Sequence, residues 1–195
     1  MDKLAIASNN RHKLREIKEI LGGRFRHLLS LAELGLNIEI EETGTTFLEN
    51  ARIKASTVAE LTGLPALADD SGLEVAALSG APGVFSARYA GEPCDHQKNN
   101  EKLLDALKDC KDRRASFVSV QIIRFPDGSE IFAEGRASGV ILTAPRGKGG
   151  FGYDPLFLSD DLGVTFAEAS SEQKNSVSHR ARALEALLLL LNVER

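Results

Sequence analysis

The sequence has no tryptophan, one methionine, two cysteines and four histidines. Cys94 and Cys110 are isolated and form no CxxC pair, which favours free thiols in a reducing compartment over a disulfide framework. The histidines, at positions 12, 27, 96 and 179, lack the close spacing of paired metal ligands. A zinc site is therefore not expected.

Long hydrophobic runs are also missing. No apolar stretch approaches the roughly 18 residues that a membrane-spanning helix needs. The longest run, residues 186–191, is expected to lie in the core. The first residues lead directly into a strand-like segment and lack the pattern of a cleaved signal. We therefore expect a cytoplasmic protein that does not contact a membrane.

Length and charge limit the class of protein further. The chain has 195 residues, 43% of them hydrophobic, and a formal net charge of -4. This length is ample for a hydrophobic core, and no linker or repeat interrupts it, so we predict one domain over residues 1–195. The acidic balance argues against a general nucleic-acid binder.

Hydrophobic patterns predict βα units first, then a β-ribbon and a final helix. The predicted strands cover residues 3–7, 65–70, 115–125 and 129–142, with a short strand, a helical turn and another strand between residues 25 and 40. The first predicted helix begins after Asn9 or Asn10. Three further helices are predicted over residues 47–61, 95–107 and 178–192. A capping box at Thr46 and Glu49 opens the second of these helices. This order predicts an α/β fold with a mixed central sheet and flanking helices.

Two predicted helices begin with cations, although the positive end of a helix dipole favours acidic residues. The first begins with the polar and basic residues Ser8, Asn9, Asn10, Arg11, His12 and Lys13. In the last, His179 and Arg180 follow Ser178, and Lys174 lies four residues earlier. Cations are favoured there if an anion such as a phosphate chain binds the helix end. Alternatively, they are solvated surface residues.

An acidic stretch, DDSG at residues 69–72, follows a predicted buried strand. Neighbouring residues on a strand point to opposite faces, so Asp69 and Asp70 can face one ligand only if the strand ends there, as the glycine indicates. Carboxylates suit Mg²⁺, which keeps several waters and bridges to phosphate, and Glu41 or Glu42 offers a further ligand. A surface turn, or the acid pair of a glycosidase, would explain the same residues.

A glycine-rich loop at residues 146–154 resembles phosphate-cradling loops but lacks the GK[ST] ending and the following helix of a P-loop. Phe151, Tyr153 and Asp154 stand around Gly152 in this loop. An aromatic ring beside a carboxylate can stack on a base and accept a hydrogen bond from its N–H group. The alternative interpretation is a flexible hairpin turn.

Together and in this order, these elements resemble the inosine/xanthosine triphosphate pyrophosphatase family, over residues 3–192. The motifs that carry the resemblance are SNNRHK at 8–13, EETG at 41–44, FLENA at 47–51 with Lys54, ADDSGL at 68–73, GVFSARY at 83–89, GGFGYDP at 149–155 and SHR at 178–180. Many members have threonine in place of Ser8, and the hydroxyl group is retained.

The resemblance implies a mixed α/β fold with two lobes around an active-site cleft, a homodimer and a requirement for Mg²⁺. It implies that the substrates are the small-molecule nucleotides ITP, dITP and XTP, which would be cleared from the nucleotide pool. Cleavage between the α- and β-phosphates would give a nucleoside monophosphate and pyrophosphate.

Carried onto this sequence, the resemblance makes Asp70 the general base or a metal-side carboxylate, with Asp69, Lys13 and Lys54 as further catalytic residues. Glu42 and Asp70 would hold Mg²⁺, with help from Asp69. The residues expected to bind the triphosphate are Ser8, Asn9, Asn10, Arg11, His12, Lys13, Lys54 and Ser71. Those expected to contact the base are Phe151, Gly152, Tyr153, Asp154, Lys174, His179 and Arg180, with His179 or Arg180 donating to the 6-oxo group.

Three alternatives remain at the level of sequence. The enzyme could prefer another base, such as a modified pyrimidine. The chain could be a nucleotide sensor without turnover, which the three acidic residues of the predicted metal cluster disfavour. It could also be a nucleic-acid-binding module, which the net charge disfavours.

Overall fold

The computed structural model describes residues 2–193. In this range the strands are β1 (Lys3–Ile6), β2 (His27–Ser30), β3 (Ala66–Val75), β4 (Arg114–Arg124), β5 (Glu130–Ile141) and β6 (Phe157–Ser159). The α-helices are α1 (Arg11–Leu21), α2 (Phe47–Thr62), α3 (His96–Ala106), α4 (Ser171–Val177) and α5 (His179–Val193). Two 3₁₀ segments, Ala76–Leu78 and Gly83–Arg88, follow β3.

The strands form one sheet in the order β2-β1-β3-β4-β5-β6. β1 pairs in parallel with both β2 and β3, whereas β6 pairs antiparallel with β5. Parallel neighbours need a crossover connection, and α1 and α2 stand at the corresponding places in the chain. The mixed sheet with its helices confirms the predicted α/β fold.

The chain divides into two compact units, each with its own core. Unit 1 consists of Met1–Asp70, Ser119–Gly135 and Arg180–Arg195. Strands β1 and β3 and helices α1 and α5 contribute to its core, which contains Leu4, Ile6, Ile17, Leu21, Leu67, Ile123, Ile131, Ala133, Leu184 and Leu187.

Unit 2 consists of Ser71–Val118 and Arg136–His179. Its core is richer in aromatic side chains and contains Leu73, Val75, Leu103, Leu107, Ala115, Phe117, Ala137, Ile141, Tyr153, Leu156, Phe157 and Phe166. The Phe117 ring lies 4.7 Å from the ring of Phe157 and 5.8 Å from that of Phe166, between ring centroids. These distances are typical of packed aromatic pairs.

Local signals account for the helix ends that matter for the site. Asn10 is the N-cap of α1, because its side chain accepts hydrogen bonds from the first-turn amides. Thr46 and Glu49 form the predicted capping box of α2. Gly63 ends α2 in the left-handed conformation, with φ of 63°. The predicted start of α2 is therefore confirmed.

The structure differs from the sequence-based expectations in several places. β3 does not end at Gly72 but continues to Val75, because Gly72, Leu73 and Val75 are buried as well. Residues 36–44 form no second strand, and both β6 and α4 were missed. The apolar run 186–191 lies only partly in the core: Leu187 is buried, whereas Leu189 is 69% exposed. The helical period turns neighbouring leucines to opposite sides.

Among the described residues, no helix is long and apolar enough to cross a membrane.

Candidate active site

The turn between β1 and α1 is fixed by its own polar side chains. The Ser8 hydroxyl accepts a hydrogen bond from the Asn10 amide, at 3.1 Å. The Asn10 Oδ1 atom accepts from the amides of His12 and Lys13, at 3.0 and 3.2 Å. The Asn9 Nδ2 atom donates to the Ile38 carbonyl, at 2.9 Å. The predicted residues of this turn therefore lie together at the N-terminus of a helix with no acidic residue in its first turn.

Asp69 on β3 collects donors from several elements of unit 1. Lys13 Nζ lies 2.6 Å from one carboxylate oxygen, and Arg180 Nε donates to the other at 2.9 Å. The Ser119 hydroxyl donates to the same oxygen at 3.0 Å, and the Gln121 amide donates there as well. The Asp69 side chain is fully buried. It is therefore a carboxylate whose charge is neutralised by protein groups.

A second carboxylate completes this buried network. Arg180 is 1% exposed, and its guanidinium group also contacts Glu16 of α1. Burial alone would raise the pKa of Asp69, but Arg180 and Lys13 outweigh it and hold the pKa well below its usual range. Burial would likewise lower the pKa of Arg180, yet Asp69 and Glu16 raise it. Asp69 and Arg180 are therefore both ionised, and Asp69 is a poor proton acceptor.

Asp70 lies in different surroundings. Its Oδ1 atom is 3.4 Å from Lys54 Nζ, a long ion pair, and Lys54 lies closer to Glu42, at 2.5 Å. The Asp70 Oδ2 atom is buried and has no hydrogen-bond partner among the described residues. Burial raises the pKa of Asp70, and Lys54 and Lys13 oppose this only in part.

Glu42, Lys54 and Asp70 form a second cluster, in which Lys54 contacts both carboxylates. Its side chain is 10% exposed. Burial lowers the pKa of Lys54, but Asp70 and Glu42 outweigh it and raise the pKa. The carboxylates of Glu42 and Asp70 thus both approach the Lys54 ammonium group, as two carboxylate ligands approach a bound cation.

The separation of the two aspartates follows from the geometry of a strand. Because β3 continues past Gly72, Asp69 and Asp70 are successive residues of a regular strand. Their side chains therefore point to opposite faces: Asp69 contacts Lys13 and Arg180, and Asp70 contacts Lys54. The expectation that both would face one ligand required the strand to end, and the strand does not end. Ser71, the next residue on β3, is half-buried.

In unit 2 the structure brings together Phe151, Asp154 and Lys174. Lys174 Nζ lies 2.7 Å from the Asp154 carboxylate and 4.9 Å from the centroid of the Phe151 ring. The same carboxylate accepts the Phe151 amide at 2.9 Å. Gly150 has φ of 68°, and a Cβ atom there would collide with Asp154. The glycine-rich loop therefore folds around Asp154, and this close approach explains the glycine at position 150.

The other predicted base contacts of unit 2 have internal partners. The Tyr153 hydroxyl donates to the Ser86 carbonyl at 2.9 Å, and the Gly152 carbonyl accepts from Asn100 at 3.0 Å. His179 is buried and stacks on Phe117, with 4.9 Å between ring centroids. His179 belongs to unit 2, whereas Arg180, the next residue, belongs to unit 1.

Sequence reasoning missed Glu16, Ser119 and Gln121, which support Asp69 and Arg180. Glu16 is the first acid of a cation-rich helix start, and that position is a usable signal. Ser119 and Gln121 are two apart on an apolar strand, so they share one face, and polar residues there indicate a buried polar partner. The pairing of Glu42 with Lys54 leaves no such local signal.

Comparison with known proteins gives a consistent result. The model of the Ham1 family matches residues 4–189. The chain is 50% identical over 195 residues to a protein of Clostridium perfringens named dITP/XTP pyrophosphatase, covering 96% of each chain. It is 53% identical to a protein of the same name from Thermus thermophilus, over 95% of this chain and 90% of that protein.

The fold agrees with this match. The structure of the Staphylococcus aureus Ham1 protein superimposes with a TM-score of 0.89 at 43% identity, over 100% of both chains. A HAM1 protein of Coxiella burnetii gives a TM-score of 0.89 at 44% identity. A likeness of this extent covers both units and all of the candidate site residues. The chain belongs to the Ham1 family.

Proposed function

We propose that the chain hydrolyses the non-standard purine nucleotides dITP, ITP and XTP to a nucleoside monophosphate and pyrophosphate. The observation that carries this proposal is the identity of about half of all residues, over almost the full length, with proteins named dITP/XTP pyrophosphatase. The geometry of unit 1 supports the chemistry, because it joins cationic groups at a helix start with a reactive carboxylate.

In this proposal Asp70 orients or deprotonates the attacking water. A general base works best when its pKa lies closer to the working pH, and burial raises the pKa of Asp70 in that direction. Its buried Oδ2 atom has no hydrogen-bond partner in the described part of the chain, so this oxygen is available to a water. Asp69, already neutralised by Lys13 and Arg180, is not suited to this role.

The residues of the second cluster also suit Mg²⁺. Glu42 and Asp70 both contact Lys54 Nζ, so their carboxylates converge. The described residues contain no group of three or more acidic, histidine or cysteine side chains that could hold a metal. Mg²⁺ usually takes one or two carboxylates and completes its shell with waters and phosphates, so Glu42 and Asp70 would suffice. When bound, the ion would neutralise charge on the phosphate oxygens.

Lys13, Lys54 and the amides at the start of α1 would bind the triphosphate. Charge-assisted hydrogen bonds to phosphate oxygens stabilise the charge that develops as pyrophosphate leaves. Contact of the base with Phe151, Asp154 and Lys174 stays a prediction. Recognition of the 6-oxo group by His179 and Arg180 stays a prediction, and so do the homodimer and the cytoplasmic location.

The test is the release of pyrophosphate from dITP, ITP, XTP, ATP and GTP, with Mg²⁺ and with EDTA. We expect turnover of the first three nucleotides with Mg²⁺, and little turnover of ATP and GTP. A site that hydrogen-bonds a 6-oxo group can reject adenine by about 10⁴-fold or more. Orthophosphate and a nucleoside diphosphate as first products would contradict the cleavage site, and full activity in EDTA would contradict the role of the metal.

A further inference from the structure

Asn50 of α2 is a completely buried polar side chain next to the second cluster. Its Oδ1 atom accepts a hydrogen bond from the Gly44 amide at 2.8 Å. Its Nδ2 atom is also buried and has no hydrogen-bond partner among the described residues. A buried amide that satisfies one end and not the other destabilises the fold, so its presence calls for an explanation in function.

The segment held by Asn50 carries Glu42. Residues 36–44 have no regular secondary structure, so side-chain contacts rather than the backbone hydrogen bonds of a sheet fix the path of this segment. The Ile38 carbonyl is held by Asn9 on one side of Glu42, and the Gly44 amide is held by Asn50 on the other. Glu42 itself meets Lys54.

Asn50 and Lys54 are four residues apart on α2 and therefore lie on one face of the helix, one turn apart. This face contacts the segment at two points: a hydrogen bond at Gly44 and an ion pair at Glu42. Two contacts along one helix face fix both the position and the direction of the residues between them. We propose that Asn50 is a positioning residue that sets the Glu42 carboxylate against Lys54 and Asp70.

Gly44 shows how closely the two elements approach. A Cβ atom on Gly44 would lie 2.6 Å from the Glu49 Cβ atom and 2.7 Å from the Asn50 Oδ1 atom. Any side chain at this position would therefore push the segment away from α2. The same contact can thus be opened from either side, by replacing Asn50 or by replacing Gly44.

The inference rests on the proposed function, since the activity of Glu42 is what Asn50 would support. The central variant is Asn50→Leu, which keeps the shape and removes the acceptor. Asn50→Asp keeps the acceptor and is the conservative variant. Glu60→Ala, at an exposed position of the same helix, is the matched control.

Two measurements are made on each variant. Hydrogen exchange of the Gly44 amide reports the contact without any need for turnover. We expect faster exchange in Asn50→Leu and Gly44→Ala, and wild-type exchange in Asn50→Asp and Glu60→Ala. The second measurement is kcat for pyrophosphate release, which should fall about tenfold or more when a catalytic group is misplaced. Asn50→Asp should recover most of it.

A double-mutant cycle with Glu42→Gln separates positioning from general stability. If Asn50 acts through Glu42, Asn50→Leu should lower kcat little further in the Glu42→Gln background. Additive losses, or faster exchange at Gly44 with unchanged kcat, would overturn the inference. If Asn50→Leu does not fold, Gly44→Ala takes its place in the same cycle. A wild-type chain that releases no pyrophosphate would instead overturn the proposed function, whatever the exchange result.

Discussion

Asp69 and Asp70 are neighbours on one strand, and both are buried, yet they are held in opposite ways. Asp69 meets two cations and two neutral donors, while Asp70 has one long ion pair and a buried oxygen without a hydrogen-bond partner in the described residues. Burial raises the pKa of both side chains, but only in Asp69 do the neighbouring cations reverse the direction.

The comparison separates a structural charge from a reactive one. A carboxylate whose oxygens are all engaged by the protein has no lone pair left for a water or a metal, and its low pKa makes it a weak base. A carboxylate that is buried but has an oxygen without a hydrogen-bond partner can still bind a water or a metal and can still act as a base. By this criterion we expect Asp70 to be the reactive member of the pair and Asp69 to position Lys13 and Arg180.

Unit 2 contains a third buried aspartate, Asp154, that can be compared with these two. Asp154 meets Lys174 and the Phe151 amide, and Lys174 also lies over aromatic rings. Asp154 thus resembles Asp69 in having a close cationic partner. We expect it to organise its loop.

The largest effect is expected from Asp70→Asn, which keeps the shape and removes the base. Loss of a general base costs about 10²- to 10⁴-fold in rate, so kcat should fall by this amount while nucleotide still binds. The measurement is pyrophosphate release from dITP together with calorimetric binding of the nucleotide. Asp109→Asn, at an exposed acid, is the control. A loss below about tenfold, or 1.4 kcal/mol of barrier, would remove Asp70 from the chemistry.

The next effect in size concerns folding. Asp69→Asn leaves Arg180 and Lys13 without their shared carboxylate, and breaking a buried ion pair costs about 3–5 kcal/mol. The free energy of unfolding in urea should fall by this amount. Asp112→Asn serves as control, because Asp112 and Arg114 form a largely exposed pair, and the loss of such a pair changes stability little. Equal stability of the two variants would contradict the structural role of Asp69.

Much of the fold could be predicted because its signals are local. The capping box at Thr46, the N-cap at Asn10 and the apolar run of β4 each depend on a few neighbouring residues. The end of β3 could not be predicted in this way. The glycine at position 72 indicated a turn, but the strand continues because Leu73 and Val75 are buried in the core of unit 2.

The candidate site shows the same limit. The sequence indicates which residues carry charge, and the cation-rich helix starts draw attention to Lys13 and Arg180. It does not indicate their partners, since Asp69 and Arg180 are 111 residues apart. The unusual cations were ascribed to a bound anion, and the protein itself supplies part of the negative charge through Asp69 and Glu16.

A smaller effect is expected at the two lysines, one on each face of β3. Lys13→Ala and Lys54→Ala should each raise the barrier by about 1.5–3 kcal/mol, as for a lost hydrogen bond to a charged group. The loss in kcat/KM should be similar for dITP, XTP and GTP, because phosphate contacts do not involve the base. A changed preference among bases, with dITP turnover intact, would place these lysines elsewhere.

The smallest effect is a difference in the sign of the pH dependence of stability. Asp69 has a lowered folded pKa, so its contribution is present above the unfolded pKa of about 3.9 and is lost as the pH falls through the folded pKa. Asp70 has a raised folded pKa, so its contribution is full below the unfolded pKa and is lost as the pH rises through the folded pKa. Above its folded pKa the ionised Asp70 therefore lowers the stability of the fold.

Asp70→Asn should accordingly leave the protein as stable as the wild type at neutral pH, or more stable by at most about 1 kcal/mol, as is common when a reactive group is removed. Urea unfolding of both asparagine variants between about pH 2 and about pH 8 measures this. The deficit of Asp69→Asn should shrink towards low pH, whereas any gain in Asp70→Asn should shrink there. If Asp70→Asn is instead destabilised to the same degree as Asp69→Asn, both aspartates are structural, and the base must be sought in Glu42, the remaining carboxylate that meets Lys54.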